Sequence, residues 1–429
     1  SDAGSGAPLT GYVAESEHDE ANFIADEIRS LQREGVSTPG DTAIFYRTNA
    51  QSRVFEEVFM RNALPYKVVG GLRFYERREV KDLLAYLRVL ANVEDEISLR
   101  RIINVPKRGI GDTSLDYVDL YARDNNISFW QGLLRCNEIS SVPARAAQAI
   151  NEFTSMISAL SVLVEAKTKP SVVVEAALEQ SGLLKELADS TDPQDEVRVE
   201  NLKELVAVSM EYEERPFEEL GEDEEISLAG FLEKVSLVAD ADEIPEGEDH
   251  GGVVTMMTLH TAKGLEFPTV FLTGMEDGIF PHSRTLGEKD EIEEERRLAY
   301  VGLTRARQRL YISRAEYRST WGAPNYNPPS RFLDEIPEDV IEWRNQSRTS
   351  VSPSLVKKSR TVTAPPPRAT GKKSVAMELA VGERVSHDTF GLGTVVSVAG
   401  AGDKAEATIN FGQYGEKRLL LRYAPVEKL

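Results

Sequence analysis

The sequence predicts an α/β protein built on a parallel sheet, with a long helical stretch in its middle and a small all-β tail. Three observations carry this. The apolar runs Val253–Leu259 and Thr269–Leu272 are short and rich in β-branched residues, and so read as strands buried on both faces. From about Leu72 to His250, apolar residues recur instead at the helical spacing of three and four. From Val381 to Leu429, short strand patterns alternate with glycine turns.

Composition sets the limits. The chain has 429 residues, 41% of them apolar, which is room for about two to four domains with real cores. Its one cysteine, Cys136, excludes an internal disulfide and a cysteine-rich metal site, and no metal-ligand set is expected. No signal peptide and no apolar run of about 18 residues is present, so no membrane span is expected and the cytoplasm is the expected compartment. A net charge of −21 argues against a nucleic-acid partner, because phosphate contacts need cations. The acid is concentrated, however, in 211–225, 240–249 and 288–295, and local potential decides binding.

Taken in order, Ser1–Thr10 is small and Gly/Ala-rich and reads as disordered. A helix follows Ser16, with Ala21, Ile24, Ala25, Ile28 and Leu31 on one face. Thr42–Tyr46 is a buried strand that runs into Arg47-Thr48-Asn49 and then a helix, Val54–Asn62. Arg47 and Asn49 thus sit just past a strand's carboxyl end, where α/β sheets bind ligands. Loop and cap chemistry explains them equally well. A short strand from Pro65 ends at Gly70-Gly71, a candidate hinge.

Within the helical stretch, Leu83–Leu90, Val172–Leu178 and Val199–Val206 mark helices. Lys107-Arg108-Gly109-Ile110-Gly111-Asp112-Thr113 makes a tight turn before a helix start. Its backbone N–H groups could face a phosphate, with the two cations adding charge. An ordinary helix–helix turn capped by Asp112 or Thr113 fits the same letters.

After the strand Val253–Leu259 comes the polar turn His260-Thr261-Ala262-Lys263-Gly264-Leu265-Glu266. A helix is predicted over Glu291–Arg309, acidic at its start and basic (Arg305, Arg307, Arg309) at its end, as the macrodipole favours. The strand Leu310–Ser313 follows. An arginine beyond strand ends could neutralise a transferring phosphoryl group, with an effect of roughly 10³ to 10⁵ in rate. Spacing alone fits a solvated basic face as well. His282 lies in a loop and Trp321 beside a glycine. Arg344–Lys373, with Pro365-Pro366-Pro367, reads as a disordered basic linker.

Two strings, Thr258-Leu-His-Thr-Ala-Lys-Gly-Leu-Glu-Phe267 and Glu293-Glu-Glu-Arg-Arg-Leu-Ala-Tyr-Val-Gly-Leu-Thr-Arg-Ala306, closely resemble the fifth and sixth motifs of the UvrD/PcrA group of superfamily 1A DNA helicases, with an actinobacterial look. The resemblance runs over nearly the whole chain. It implies a RecA-like motor domain, 2A, in two pieces (1–70 and 251–336) rejoined around a mainly helical 2B insert (71–250). A disordered linker (337–377) and an SH3- or Tudor-like β-barrel (378–429) follow.

The resemblance also implies roles. Arg305 would contact the γ-phosphate of ATP, and Glu266 the ribose. Thr258, His260 and Lys263 would contact DNA or relay between DNA and nucleotide. Arg47 and Asn49 would bind single-stranded DNA, and His282 would approach it. The turn of Gly109, Ile110, Gly111 and Thr113 would touch the duplex backbone. Trp321 would cap a hairpin at the single-strand/duplex junction, where stacking contributes about 1–3 kcal/mol per base without reading it. The implied activity is ATP- and Mg²⁺-dependent 3′→5′ unwinding in DNA repair, with the tail meeting RNA polymerase or repair proteins.

The phosphate cradle is missing. No Gly-x-x-x-x-Gly-Lys-Ser/Thr occurs, and Gly371-Lys-Lys-Ser374 lacks the first glycine and lies in the linker. No apolar strand ends in Asp-Glu; Met275-Glu276-Asp277 comes closest, in a loop. The chain is therefore expected to be the C-terminal portion of a helicase, completed by a P-loop half and inactive as an ATPase alone. The competing reading is a non-enzymatic DNA- or RNA-polymerase-binding adaptor. A RecB-type nuclease subunit is disfavoured, since the tail has no cluster of acids and lysine.

Overall fold

The computed structural model describes residues 7–214, 226–240, 251–320, 323–345, 379–400, 402 and 405–429. The chain divides into two units, 1–345 and 346–429.

The first unit is organised by seven strands. Three precede the helical stretch: β1 (Leu9–Ala14), β2 (Thr42–Tyr46) and β3 (Tyr66–Val69). After it come β4 (Val254–Thr258), β5 (Phe267–Leu272) and β6 (Ala306–Ala315). A hairpin of β7 (Arg318–Thr320) and β8 (Ala323–Asn325) leads on to β9 (Ile341–Arg344). The sheet order is β3-β4-β2-β5-β6-β1-β9, and every neighbour runs parallel. β2 lies between β4 and β5, with Ile44 opposite both Met256 and Phe271. The two flanks of the helical stretch therefore build one sheet, and the stretch is an insertion into it.

Strand alternation sends side chains to two cores. Ile44, Tyr46, Met256, Phe271 and Tyr311 pack against α1 (Glu17–Arg33) and α2 (Ser52–Arg61). Ala43, Phe45, Met257, Val270 and Leu272 pack on the opposite face with Phe280, Ala299 and Phe332. Ser16 caps α1, its hydroxyl accepting from Asp19 N at 3.3 Å.

The insert contains α3 (Arg78–Ala91), α4 (Glu96–Ile102), α5 (Asp112–Asp124), α6 (Phe129–Leu134), α7 (Ala144–Glu165), α8 (Pro170–Ser181), α9 (Leu183–Ala188), α10 (Pro193–Glu213) and α11 (Leu228–Asp240). α10 returns along the parallel-sheet domain. There Arg53, 1% exposed, donates to Glu204 at 2.6 Å and Glu211 at 2.8 Å, as well as to Glu57 on its own helix at 3.1 Å. Arg77 bridges the same seam, donating to Asn201 Oδ1 at 2.7 Å and to Asn49 O at 3.0 Å.

Several expectations are corrected. Leu9 and Thr10 belong to β1, because β1 is paired on both sides, by β6 and β9. The helix predicted over Glu291–Arg309 is α12 (Lys289–Leu303). Its chain turns at Thr304, whose hydroxyl donates back to Tyr300 O at 2.9 Å. Arg307 and Arg309 therefore stand on β6, where ladder bonds to β5 and β1 hold ten residues extended. Ile341–Arg344, within the stretch expected as linker, is an edge strand on β1. Trp343 covers Gly11 so closely that a Cβ there would lie 2.4 Å from the ring. Glu276 is wholly buried and serves Arg318, whose guanidinium also meets Glu20 at 2.6 Å.

The second unit is a five-stranded antiparallel sheet of β10 (Arg384–His387), β11 (Gly391–Ala399), β12 (Glu406–Asn410), β13 (Glu416–Leu420) and β14 (Val426–Lys428), in the order β13-β12-β11-β10-β14. Among the described residues, no helix is long and apolar enough to cross a membrane, and no group of three or more His, Cys, Asp or Glu could hold a metal ion.

Candidate nucleotide and nucleic-acid interface

Sheet register separates the predicted residues into two groups. β4 ends at Thr258, level with Tyr46 at the carboxyl end of β2. β5 begins at Phe267, two residues below the Thr269 that pairs with Thr42 at the start of β2. Leu259–Glu266 is therefore not a turn at one edge. It crosses the sheet from the carboxyl edge to the amino edge. Phe267 N donates to Arg305 O at 3.0 Å, which brings Glu266 and Arg305 together at the amino edge. The expectation that they lie beyond the carboxyl ends is corrected: strands that run parallel force the connecting segment back to the sheet's other end.

At the amino edge, Arg305 Nε donates to Val301 O at 3.0 Å, Nη1 to Leu265 O at 3.4 Å and Nη2 to Thr304 Oγ1 at 2.9 Å. These partners are carbonyls and a hydroxyl; among the described residues no carboxylate neutralises this guanidinium. Glu266 is exposed and accepts from Arg307 Nε at 3.2 Å. An uncompensated guanidinium beside an exposed carboxylate suits the phosphate and sugar of a nucleotide. Lys263 and Gly264 lie exposed along the crossing, and Gly264 has φ +89°.

At the carboxyl edge, Glu295 holds two of the predicted DNA-facing residues, Arg47 and His282. It stands on the second turn of α12 with its side chain 5% exposed. Arg47 Nε donates to its two oxygens at 3.0 and 3.1 Å, and Nη2 donates to Oε1 at 2.7 Å. The backbone N–H of His282 donates to Oε2 at 3.1 Å. The His282 ring nitrogen Nε2 lies 3.2 Å from Glu200 on α10. Arg284 pairs with Glu196 and lies 3.7 Å from Glu200. A cavity of about 370 Å³ opens here, lined by Thr48, Gln51, Glu200, His282 and Arg284 among others. His260 is exposed next to this group; desolvation first, and then the Arg47 charge, hold its pKa below the ordinary histidine value.

The loop carrying Arg47 and Asn49 is shaped locally. Gln51 Oε1 accepts from the N–H groups of Arg47 and Thr48, each at 2.9 Å. Asn49 opens a short 3₁₀ turn. Thr258 Oγ1 lies 3.0 Å from Thr261 Oγ1 and caps the start of the crossing. Thr261 in turn packs on Gly70, where a Cβ would come within 3.0 Å and where φ is +80°. Glycine at 70 is thus favoured by its positive φ, and the contact with Thr261 is tight.

The turn at 107–113 sits in the insert. Gly109 and Gly111 open onto free space, and Thr113 and Lys107 are exposed. Ile110 is 1% exposed and anchors the turn, so only its backbone is available to a ligand. Arg108 does not add charge to the surface as expected. It folds inward, donating to Ile102 O at 3.1 Å and Ser181 O at 3.0 Å, the last carbonyls of α4 and α8, and to Tyr86 OH at 2.7 Å. Trp321 lies outside the described residues.

Glu295, Gln51 and Glu200 escaped the sequence reading. Glu295 sits in an acidic run that reads as solvated. Its neighbours do face solvent, Glu293 pairing with Arg296 and Glu294 with Arg297 at 2.6 Å. Its one available signal is phase: it lies three and four residues from the buried Ile292 and Ala299.

Known proteins fit this arrangement. Residues 1–317 match the UvrD-like helicase C-terminal domain, and residues 381–428 the PcrA/UvrD tudor domain. The chain is 49% identical over 444 aligned residues to the ATP-dependent DNA helicase UvrD1 of Mycobacterium bovis, covering 100% of this chain and 56% of that protein. It is 41% identical to the ATP-dependent DNA helicase PcrA of Bacillus subtilis, covering 99% of this chain and 57% of that one. The PcrA of Staphylococcus aureus is 42% identical, with 99% and 57% covered. The chain thus spans little more than half the length of these relatives. It belongs to the UvrD/PcrA helicase family, carrying that family's UvrD-like C-terminal domain followed by its tudor domain.

Proposed function

We propose that this chain is the C-terminal portion of an ATP-driven 3′→5′ DNA helicase of repair. It supplies half of a nucleotide site and much of the strand-binding surface. The observation that carries this reading is the guanidinium of Arg305, which no carboxylate among the described residues neutralises, beside the exposed Glu266 at one sheet edge.

Arg305 acts as the arginine finger and Glu266 as the ribose contact. ATP bound with Mg²⁺ on a P-loop half supplies the phosphoryl transfer. On meeting the developing charge, Arg305 exchanges Leu265 O and Thr304 Oγ1, both weak neutral partners, for phosphate oxygens. At the opposite edge Arg47, Asn49, Thr258, His260 and His282 face single-stranded DNA, and Lys263, exposed along the crossing, adds a contact to it. The 109–113 turn touches duplex backbone, Trp321 parts the strands, and the tail sheet docks RNA polymerase or a repair protein.

The test is strand displacement by this chain joined to a P-loop half. A duplex with a 3′ single-stranded tail should open with ATP, and one with a 5′ tail should stay closed. Opening of neither, with DNA binding retained, would favour the adaptor reading. Opening of the 5′-tailed duplex alone would overturn the direction.

A further inference from the structure

We infer that Glu295 is a positioning residue that couples the nucleotide edge to the strand edge through α12. This rests on the reading above, in which Arg305 meets nucleotide and Arg47 and His282 meet DNA.

Glu295 is the inward-facing member of an acidic run. Its carboxylate joins three separately encoded elements: the end of β2 through Arg47, the loop after β5 through the His282 N–H, and α12 itself. Burying such a pair is a poor route to stability, because desolvation offsets the attraction. What the pair fixes is geometry. A planar guanidinium held fork-to-carboxylate cannot rotate, so the remaining N–H groups of Arg47 keep one direction.

The same helix delivers Arg305. Eight residues carry α12 from Glu295 to its end at Leu303, about 12 Å at helical rise, from the carboxyl edge of the sheet toward its amino edge, and Arg305 follows two residues on, past the turn at Thr304. The helix is seated without slack. A Cβ on Gly302 would lie 2.6 Å from Leu259 Cδ2, and Leu259 is the residue between Thr258 and His260. A shift of Arg305 toward phosphate therefore moves a rigid body whose other end grips Arg47 and the His282 loop. Polar side chains on both sides of this seam, from the loop at 47–51 and from Glu200 and Glu196 on α10, make the strand edge responsive to small displacements.

The experiment uses the complete motor, this chain with its P-loop half, and compares wild type with Glu295→Gln, Arg47→Ala and the double variant. ATP turnover is measured without DNA and against an oligo-dT titration, and unfolding temperature is measured in parallel. Glu295→Gln keeps the shape and the acceptor for His282 N–H. The expected result is turnover without DNA within twofold of wild type, with stimulation at saturating DNA cut at least tenfold. In the double variant, stimulation should be no lower than in Arg47→Ala alone, because the two residues act as a unit. Undiminished stimulation in Glu295→Gln would overturn the inference. So would a parallel loss of DNA-free turnover and unfolding temperature, which marks a merely structural residue. If wild type itself fails to respond to DNA, the reading of the motor fails and the coupling inference with it.

Discussion

The Arg47 guanidinium lies fork-to-carboxylate on Glu295, 248 residues away in sequence, with donor–acceptor distances of 2.7 to 3.1 Å. Removing the cation strands a carboxylate that is 5% exposed, whereas removing both charges leaves no buried charge unpaired. Breaking a buried pair typically costs about 3–5 kcal/mol; since Arg47 is 20% exposed, we expect about 2 kcal/mol for Arg47→Ala. Adding Glu295→Gln should recover part of that loss. Denaturant midpoints of the four proteins give the cycle, and strictly additive losses would contradict the pairing.

Gly302 sets how close α12 comes to the sheet. Gly302→Ala gains up to about 1 kcal/mol of helix propensity. It also drives a methyl against Leu259 and Leu272, both fully buried, an overpacking that typically costs about 1–3 kcal/mol. The net expectation is a destabilised chain with lowered DNA stimulation of its motor. Stabilisation in a denaturant titration would show that α12 has room to move.

Much of this was readable in advance, and the limit falls at a definite place. Thr42–Tyr46 reads directly as a strand because all five residues are buried, and α1 reads from Ser16 and its apolar period. Local pattern reports which face of an element is buried, not what covers it. Hence Arg108 looked like surface charge when its acceptors lie on distant carbonyls, and Glu295 looked solvated when its partners come from positions 47 and 282. The parallel sheet is legible around Leu259–Glu266, but the edge at which Glu266 ends up is not, since it depends on how β4 and β5 register on β2.

The seam between α10 and the motor titrates in acid. Burial works to raise the Glu211 pKa, but Arg53 and His18 more than reverse it, bringing it from 4.5 to about 2. A carboxylate with a depressed folded pKa adds stability that is full above its unfolded pKa and is lost as pH falls through the folded one. The stability difference between wild type and Glu211→Gln should therefore be largest above about pH 5 and shrink toward pH 2. Glu204, whose pKa is raised by burial and further by the Glu211 charge, opposes this with the other sign. A difference that holds constant down to pH 2 would contradict the Arg53–Glu211 contact.

In the tail sheet, His387 is 2% exposed. Its Nδ1 accepts from Thr389 N at 3.1 Å, and its Nε2 finds no partner. Burial lowers its pKa, so the folded sheet holds it neutral. Stability should be full above the ordinary histidine value and fall as pH drops below about 6.5, where the unfolded chain binds the extra proton. Hydrogen exchange at Val385 and Ile409, corrected for intrinsic rates, should show protection falling from pH 7 to 5. Protection that rises on acidification would contradict a neutral buried ring.

The central claim is tested most directly at Arg305. This chain is mixed with a P-loop half, and DNA-stimulated ATP hydrolysis is measured for wild type, Arg305→Lys and Arg305→Ala. The account predicts turnover only when both halves are present, a loss of about 10³-fold or more in Arg305→Ala, and partial activity at best for lysine, which keeps the charge but not the planar fork. Turnover that survives Arg305→Ala unchanged would contradict it.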